Sequence, residues 1–127
     1  MILDKATILA AHDRKRVTVP VPEWGDGAEV IIQEMSALDR DRLSAEVRTG
    51  DAVDSVNFAA RTLVRCLVNA AGERLFSDED APALGEKAAS VVERLFKRTQ
   101  ELNKLASDAE KEAGNSEPSR SADLPSG

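Results

Sequence analysis

From Ala88 to Ala109, small or apolar residues return at alternating steps of four and three: Ala88, Val92, Leu95, Thr99, Leu102, Ala106 and Ala109. A seven-residue repeat held this long commits the segment to helix, because only a helical period returns those positions to one face. Val91, Phe96 and Leu105 broaden the stripe toward a packed face. The pattern predicts one long helix over about 86–112, and the stripe has two possible uses. It can close the protein's own core, or it can pair with a helix of another protein. The half past Leu102 outruns the expected size of the domain, which makes it the better partner surface. Val92, Leu95, Phe96, Thr99, Leu102, Leu105 and Ala106 are therefore the candidate partner-binding residues. Glu at Leu102 and Leu105 is expected to abolish binding and leave the fold largely intact; global unfolding would place the stripe in the core.

The segment before this helix reads as a series of short elements. Asp54 or Ser55 is placed to cap a helix running to about Ala71, with Val56, Ala59, Ala60, Leu63, Val64, Leu67 and Val68 as its wide apolar stripe and Gly72 closing it. Leu75 and Phe76 follow as an extended link expected to plug two apolar side chains into the core. Ser77-Asp78-Glu79-Asp80 is a strong helix start: Ser77 caps, Asp80 stands three residues on, and three acids crowd the positive end of the turn. Pro82 is tolerated in a first turn and Gly85 stops a helix over about 78–84.

The first third of the chain changes period twice. Ile2, Ala6, Leu9 and Ala10 have helical spacing and predict a short amphipathic helix within 2–12. Val17, Val19 and Val21 alternate with Thr18, Pro20 and Pro22, the mark of a half-buried strand. Its prolines cannot donate ladder hydrogen bonds, so it belongs at a sheet edge. Gly25-Asp26-Gly27 is a turn, and Ala28 to Met35 is a second β-branched run, giving a hairpin that a helix must cover. Ser36 then caps a helix over about 37–48, with Leu38, Leu43 and Val47 on its apolar side and Gly50 as a left-handed stop. The expected fold is α+β and mainly helical: an N-terminal β-hairpin on about four helices, the last one long. The domain spans 1–112, and the Ser/Pro/Gly-rich segment 113–127 is expected to be a disordered tail.

Charge and composition exclude several functions. A net charge of −6 argues against a nucleic-acid partner, since phosphate binding needs clustered Lys and Arg. No apolar run approaches the ~20 residues that cross a bilayer. The basic residues of the first segment follow its apolar stretch, the wrong order for a signal peptide, so a cytosolic protein is expected. With one cysteine, Cys66, and one histidine, His12, in separate segments, neither a disulfide framework nor a Cys–His nucleophile is expected. Asp78-Glu79-Asp80 fails the calcium-loop pattern, because the sixth position from Asp78 is Ala83 rather than Gly. Gly25-Asp26-Gly27 is followed by no Gly-Lys-Ser/Thr and opens no helix, so it is not a phosphate loop. No cofactor, metal or enzymatic activity is expected, and a surface that binds other proteins remains.

Several pieces in order resemble one family. They are the Val17–Trp24 strand ending in Pro22-Glu23-Trp24-Gly25, the Val30–Met35 strand entering Ser36-Ala37-Leu38-Asp39-Arg40-Asp41, and the Leu67–Phe76 segment. Ser77-Asp78-Glu79-Asp80, Leu84-Gly85-Glu86-Lys87 and Leu102-Asn103 follow. Over roughly Lys5 to Ala106 the chain resembles the tail assembly chaperones of long-tailed double-stranded DNA phages and prophages. It departs at Asn69-Ala70-Ala71-Gly72, where the family often has an Asp-rich turn. The resemblance implies a non-enzymatic protein of the host bacterial cytoplasm that binds the tape-measure protein, helps recruit tail-tube subunits, can homo-oligomerise, and is absent from the finished virion. In many relatives a ribosomal frameshift adds a C-terminal domain. The competing expectation is a small structural or adaptor subunit of the virion, such as a head–tail connector protein. A small regulator of a host protein is a third, supported only by acidity.

Overall fold

The structure is a computed structural model that describes residues 1–49 and 52–115, with side chains described over 1–48 and 54–104. Helix α1 spans Lys5–Ala10, where Asp4 caps it by accepting from the Thr7 N–H at 2.9 Å. Strand β1 (Arg16–Pro20) and strand β2 (Glu29–Gln33) form the expected hairpin, antiparallel, with Val17 opposite Ile32 and Val19 opposite Val30. Between them Pro22–Trp24 makes one 3-10 turn, and β1 lies at the sheet edge, where its prolines leave no ladder donor missing.

Helix α2 (Ala37–Val47) starts where Ser36 accepts from the Asp39 N–H at 3.1 Å. It passes into a two-residue hairpin, β3 (Arg48–Thr49) with β4 (Ala52–Val53), rather than simply stopping. Gly50, expected as the left-handed stop, lies outside the described residues. Leu43 and Val47 turn inward, whereas Leu38 is 58% exposed and Asp39 takes the buried place beside it.

The largest departure from expectation follows. The helix expected from about 55 to Ala71 is only α3, Phe58–Leu63, preceded by Asn57 in the left-handed region (φ 59). Val56, assigned to its buried stripe, is exposed. After a turn at Val64–Cys66 the chain becomes strand β5 (Leu67–Val68) and pairs antiparallel with β2, Ile32 opposite Leu67. The Gln33 N–H donates to the Cys66 carbonyl at 2.8 Å. The inner edge of β2 needs partners once it is buried, and Leu67 and Val68, with a side chain on each face, supply them without leaving the core. The sheet thus has three strands in the order β1-β2-β5. Gly72 (φ +86) does not end a helix but turns the chain back so that Arg74 bridges Val68. Of the two residues expected to plug the core, Phe76 packs on it and Leu75 is 51% exposed.

The Ser77 start is as expected: the Asp80 carboxylate accepts from the Ser77 N–H at 2.8 Å and from its hydroxyl at 3.2 Å. A 3-10 turn (Asp78–Asp80) leads into α4 (Ala81–Leu84), and α5 runs from Ala89 to Asn115. α5 therefore extends three residues into the segment expected to be a disordered tail, and 116–127 lie outside the described residues. Val91, Val92, Leu95 and Leu102 of α5 meet Val19, Val21 and Ile32 of the hairpin, Ala60 and Leu63 of α3 and Val64 just after it in one aliphatic core. The hairpin corner is tied to the same helix by Arg94, which donates to both Glu23 carboxylate oxygens at 2.7 and 2.8 Å.

Candidate interaction surface

Between Val92 and Leu102 the seven-residue repeat faces inward. Val92, Leu95, Thr99 and Leu102 are all buried, Leu95 and Thr99 completely. These four candidate residues are thus core in the folded chain, because the sheet and α3 need an aliphatic face and α5 supplies it. Leu105 and Ala106 continue the helix, but their side chains lie outside the described residues. Phe96, one position off the repeat, is half-buried and meets Phe58 edge to face, with ring centroids 5.8 Å apart at 82°. Such a pair is worth about 0.5–1.5 kcal/mol beyond its burial.

Beside that aromatic pair is an open groove of about 500 Å³. It is lined by Met35, Leu43 and Phe58 and, from α5, by Phe96, Thr99, Gln100, Asn103 and Lys104. Asn103 locks the corner: its Oδ1 accepts from the Met35 N–H at 3.3 Å and its Nδ2 donates to the Thr99 carbonyl at 2.6 Å. The groove is walled mainly by carbon and backed by buried Thr62, so it suits an apolar side chain better than a charged one. Of the candidate residues, Phe96 and Thr99 line it. Met35, Leu43 and Phe58 come from other elements, and only their apolar character hinted at a role.

The molecule's most buried charge lies behind α3. Arg65 is 1% exposed, and its Nη2 stands 2.8 Å from Glu46 and 3.2 Å from Asp78 while Nη1 donates to the Arg61 carbonyl at 2.6 Å. Its Nε has no acceptor among the described residues. Arg74 extends the network, donating to Asp78 at 2.7 Å and to the Val64 carbonyl at 3.0 Å, and Arg61 closes the other end on Glu46 and Asp54. The Arg74 hydrogen bond, then the charge of Arg65, holds the Asp78 carboxyl below its ordinary range. Burial pushes the Cys66 thiol up to about 12, so it stays protonated and behaves as a small apolar group. The acids nearest one another are thus taken up by arginines, and no group of three or more metal-ligating side chains is assembled among the described residues. Nor is any described helix long and apolar enough to cross a membrane.

Comparison with known proteins agrees with this architecture. The family described as phage tail assembly chaperone matches residues 4–112. Among solved structures, the tail assembly chaperone of bacteriophage HK97 superposes with a TM-score of 0.58 at 23% identity, covering 76% of this chain and 90% of that one. No curated protein matches significantly in sequence. The family match takes in the hairpin, the third strand, the capped Ser77 turn and most of α5, and on that extent the chain belongs to the phage tail assembly chaperone family.

Proposed function

We propose that this protein is a non-enzymatic assembly factor that binds the tape-measure protein in the host bacterial cytoplasm, helps recruit tail-tube subunits around it, and is absent from the finished virion. The observation that carries the reading is the family match over 4–112 joined to an open apolar groove beside Phe58 and Phe96. A long apolar helix aggregates unless its exposed face is covered. A groove of this size has room for apolar side chains of a partner helix, and an acidic chain around it keeps the complex soluble. Leu105 and Ala106, in the part of the sequence where the apolar pattern persists, are further candidate contacts for the same partner.

Co-expression with the adjacent tape-measure protein, followed by pull-down and a solubility assay, tests this. The expected result is a soluble complex that Gln100→Glu and Lys104→Glu, both on the exposed groove rim, weaken at unchanged thermal stability. A partner that stays insoluble and unbound, with this protein retained in purified particles, would overturn the reading in favour of a connector-type virion subunit.

A further inference from the structure

The chain is acidic, yet its first sixteen residues carry four cations (Lys5, Arg14, Lys15, Arg16) against two acids (Asp4, Asp13). The remaining 111 residues carry thirteen cations against twenty-one acids. Two of these cations, Arg14 and Arg16, line a pocket of about 350 Å³ together with His12, Asp13, Gln33 and Gly72, among others. The pocket is built rather than incidental. Arg16 Nε donates at 2.7 Å to Gln33, a side chain only 3% exposed, and Nη1 donates at 3.0 Å to the Ala70 carbonyl. Its Nη2 lies against Gly72, where a Cβ would collide with it, and Gly72 holds a positive φ. The guanidinium is therefore fixed in place before any ligand arrives, and Arg14, beside it, makes no hydrogen bond or ion pair among the described residues. Directly before the pocket, α1 buries none of its residues and leaves Leu3, Ile8 and Leu9 exposed at 48, 55 and 74%.

We infer that α1 and this basic pocket together form a second docking surface, distinct from the groove at Phe96, for an amphipathic protein segment whose apolar face lies on Ile8 and Leu9 and whose carboxylate enters the pocket. Charge complementarity selects the occupant. Arg16 spends Nε and Nη1 within the fold, so Arg14 beside it is the guanidinium that offers a planar fork to a carboxylate. The exposed leucine and isoleucine next to it favour a protein face over a phosphate backbone, which would need cations along its length. Asp13, which lines the same pocket, limits it to a single anionic group.

The test is fluorescence anisotropy of the full chain with a labelled amphipathic peptide carrying Leu on one face and Glu flanking it. Binding is expected, weakened about tenfold by Arg14→Gln and comparably by Leu9→Ser, which is the loss of one charge-assisted contact or one apolar anchor. Both positions are exposed, so thermal stability should not move, and the groove variants at Gln100 and Lys104 should bind the peptide normally. Replacing every Glu of the peptide by Gln should weaken binding by a similar factor. The inference is overturned if the Gln peptide binds equally well, if Arg14→Gln has no effect, or if a single-stranded oligonucleotide binds more tightly than the peptide. It is also overturned if sedimentation shows a second copy of the chain occupying this face.

Discussion

Asn57 covers Gly85. The Asn57 backbone is left-handed at φ 59, which aims its side chain across the start of α4, where Nδ2 donates to the Ala81 carbonyl at 2.8 Å. Its amide atoms rest so close to the Gly85 Cα that a Cβ there would overlap them. Gly85 itself has an ordinary φ of −65°, so the glycine is required by this contact and not by its own backbone. Gly85→Ala is expected to cost about 1–3 kcal/mol by forced displacement of Asn57. Asn57→Gly, which relieves the left-handed strain but loses the hydrogen bond, should cost less than 1.5 kcal/mol. The double variant should recover part of the Gly85→Ala loss, a coupling that a double-mutant cycle in urea reads directly. Strict additivity would show that the two residues do not lean on one another.

Arg65 makes a different demand, because its charge is out of water and depends on Glu46 and Asp78 together. Neutralising both acids as Glu46→Gln with Asp78→Asn leaves a buried cation with amide and carbonyl acceptors but no countercharge, and a loss of about 3–5 kcal/mol is expected. Adding Arg65→Met to that pair should restore a large part of it, since the uncompensated charge is gone and the aliphatic stem still fills the site. If the triple variant is no more stable than the double, the arginine matters for its volume and not for its charge.

How far these features were legible depends on their range. The caps at Ser36 and Ser77 and the edge position of β1 follow from residues within a few positions of one another, and all were readable from sequence. β5 was not. In Leu63-Val64-Arg65-Cys66-Leu67-Val68 the apolar run is continuous apart from Arg65, and a continuous run has no period to separate a buried helix from a buried strand. What decides it is the unpaired edge of β2, some 35 residues earlier in the chain. Arg65 was the one discordant residue in that run, and it marked the ion network. Val56 and Leu38 failed for a related reason: spacing assigns a face, but only the neighbouring elements decide whether anything covers it. The groove at Phe58 and Phe96 joins residues from four segments, of which the α5 repeat pointed only to Phe96 and Thr99.

Acid should loosen both ion-paired sites, the hairpin corner at Glu23 and the network at Asp78. The paired hydrogen bonds from Arg94 hold the Glu23 carboxyl down to about 2, and Arg74 with Arg65 depresses Asp78. A carboxyl that titrates lower in the folded chain than in the unfolded one binds fewer protons when folded. Its stabilisation is present above the unfolded value near 4 and is lost as pH falls through the folded value. Thermal stability should therefore decline from about pH 4.5 toward pH 2. Glu23→Gln, at a fully exposed pair, should flatten that decline slightly, and Asp78→Asn more. A profile identical in all three proteins would mean that neither pair is differentially protonated on folding.

The inward face of α5 separates fold from binding. Leu95 is fully buried against the sheet and α3, and Leu102 is 8% exposed in the same core. Leu95→Ala should cost about 2–5 kcal/mol, because the aliphatic core around it cannot fully collapse into the space left behind. Leu102→Glu should unfold the domain or nearly so, since an unpaired carboxylate would enter the core. That outcome reverses the expectation from the repeat alone, under which Leu102 was a partner contact. Gln100→Glu, two residues earlier and on the exposed groove rim, should leave the melting temperature within a degree or two, because surface changes of this kind fall within about 0.5 kcal/mol. Circular dichroism melts of the three variants decide the matter. A folded Leu102→Glu protein that no longer carries the proposed partner into the soluble fraction would return the repeat to the surface, and a folded one that still does would leave it without a role in either.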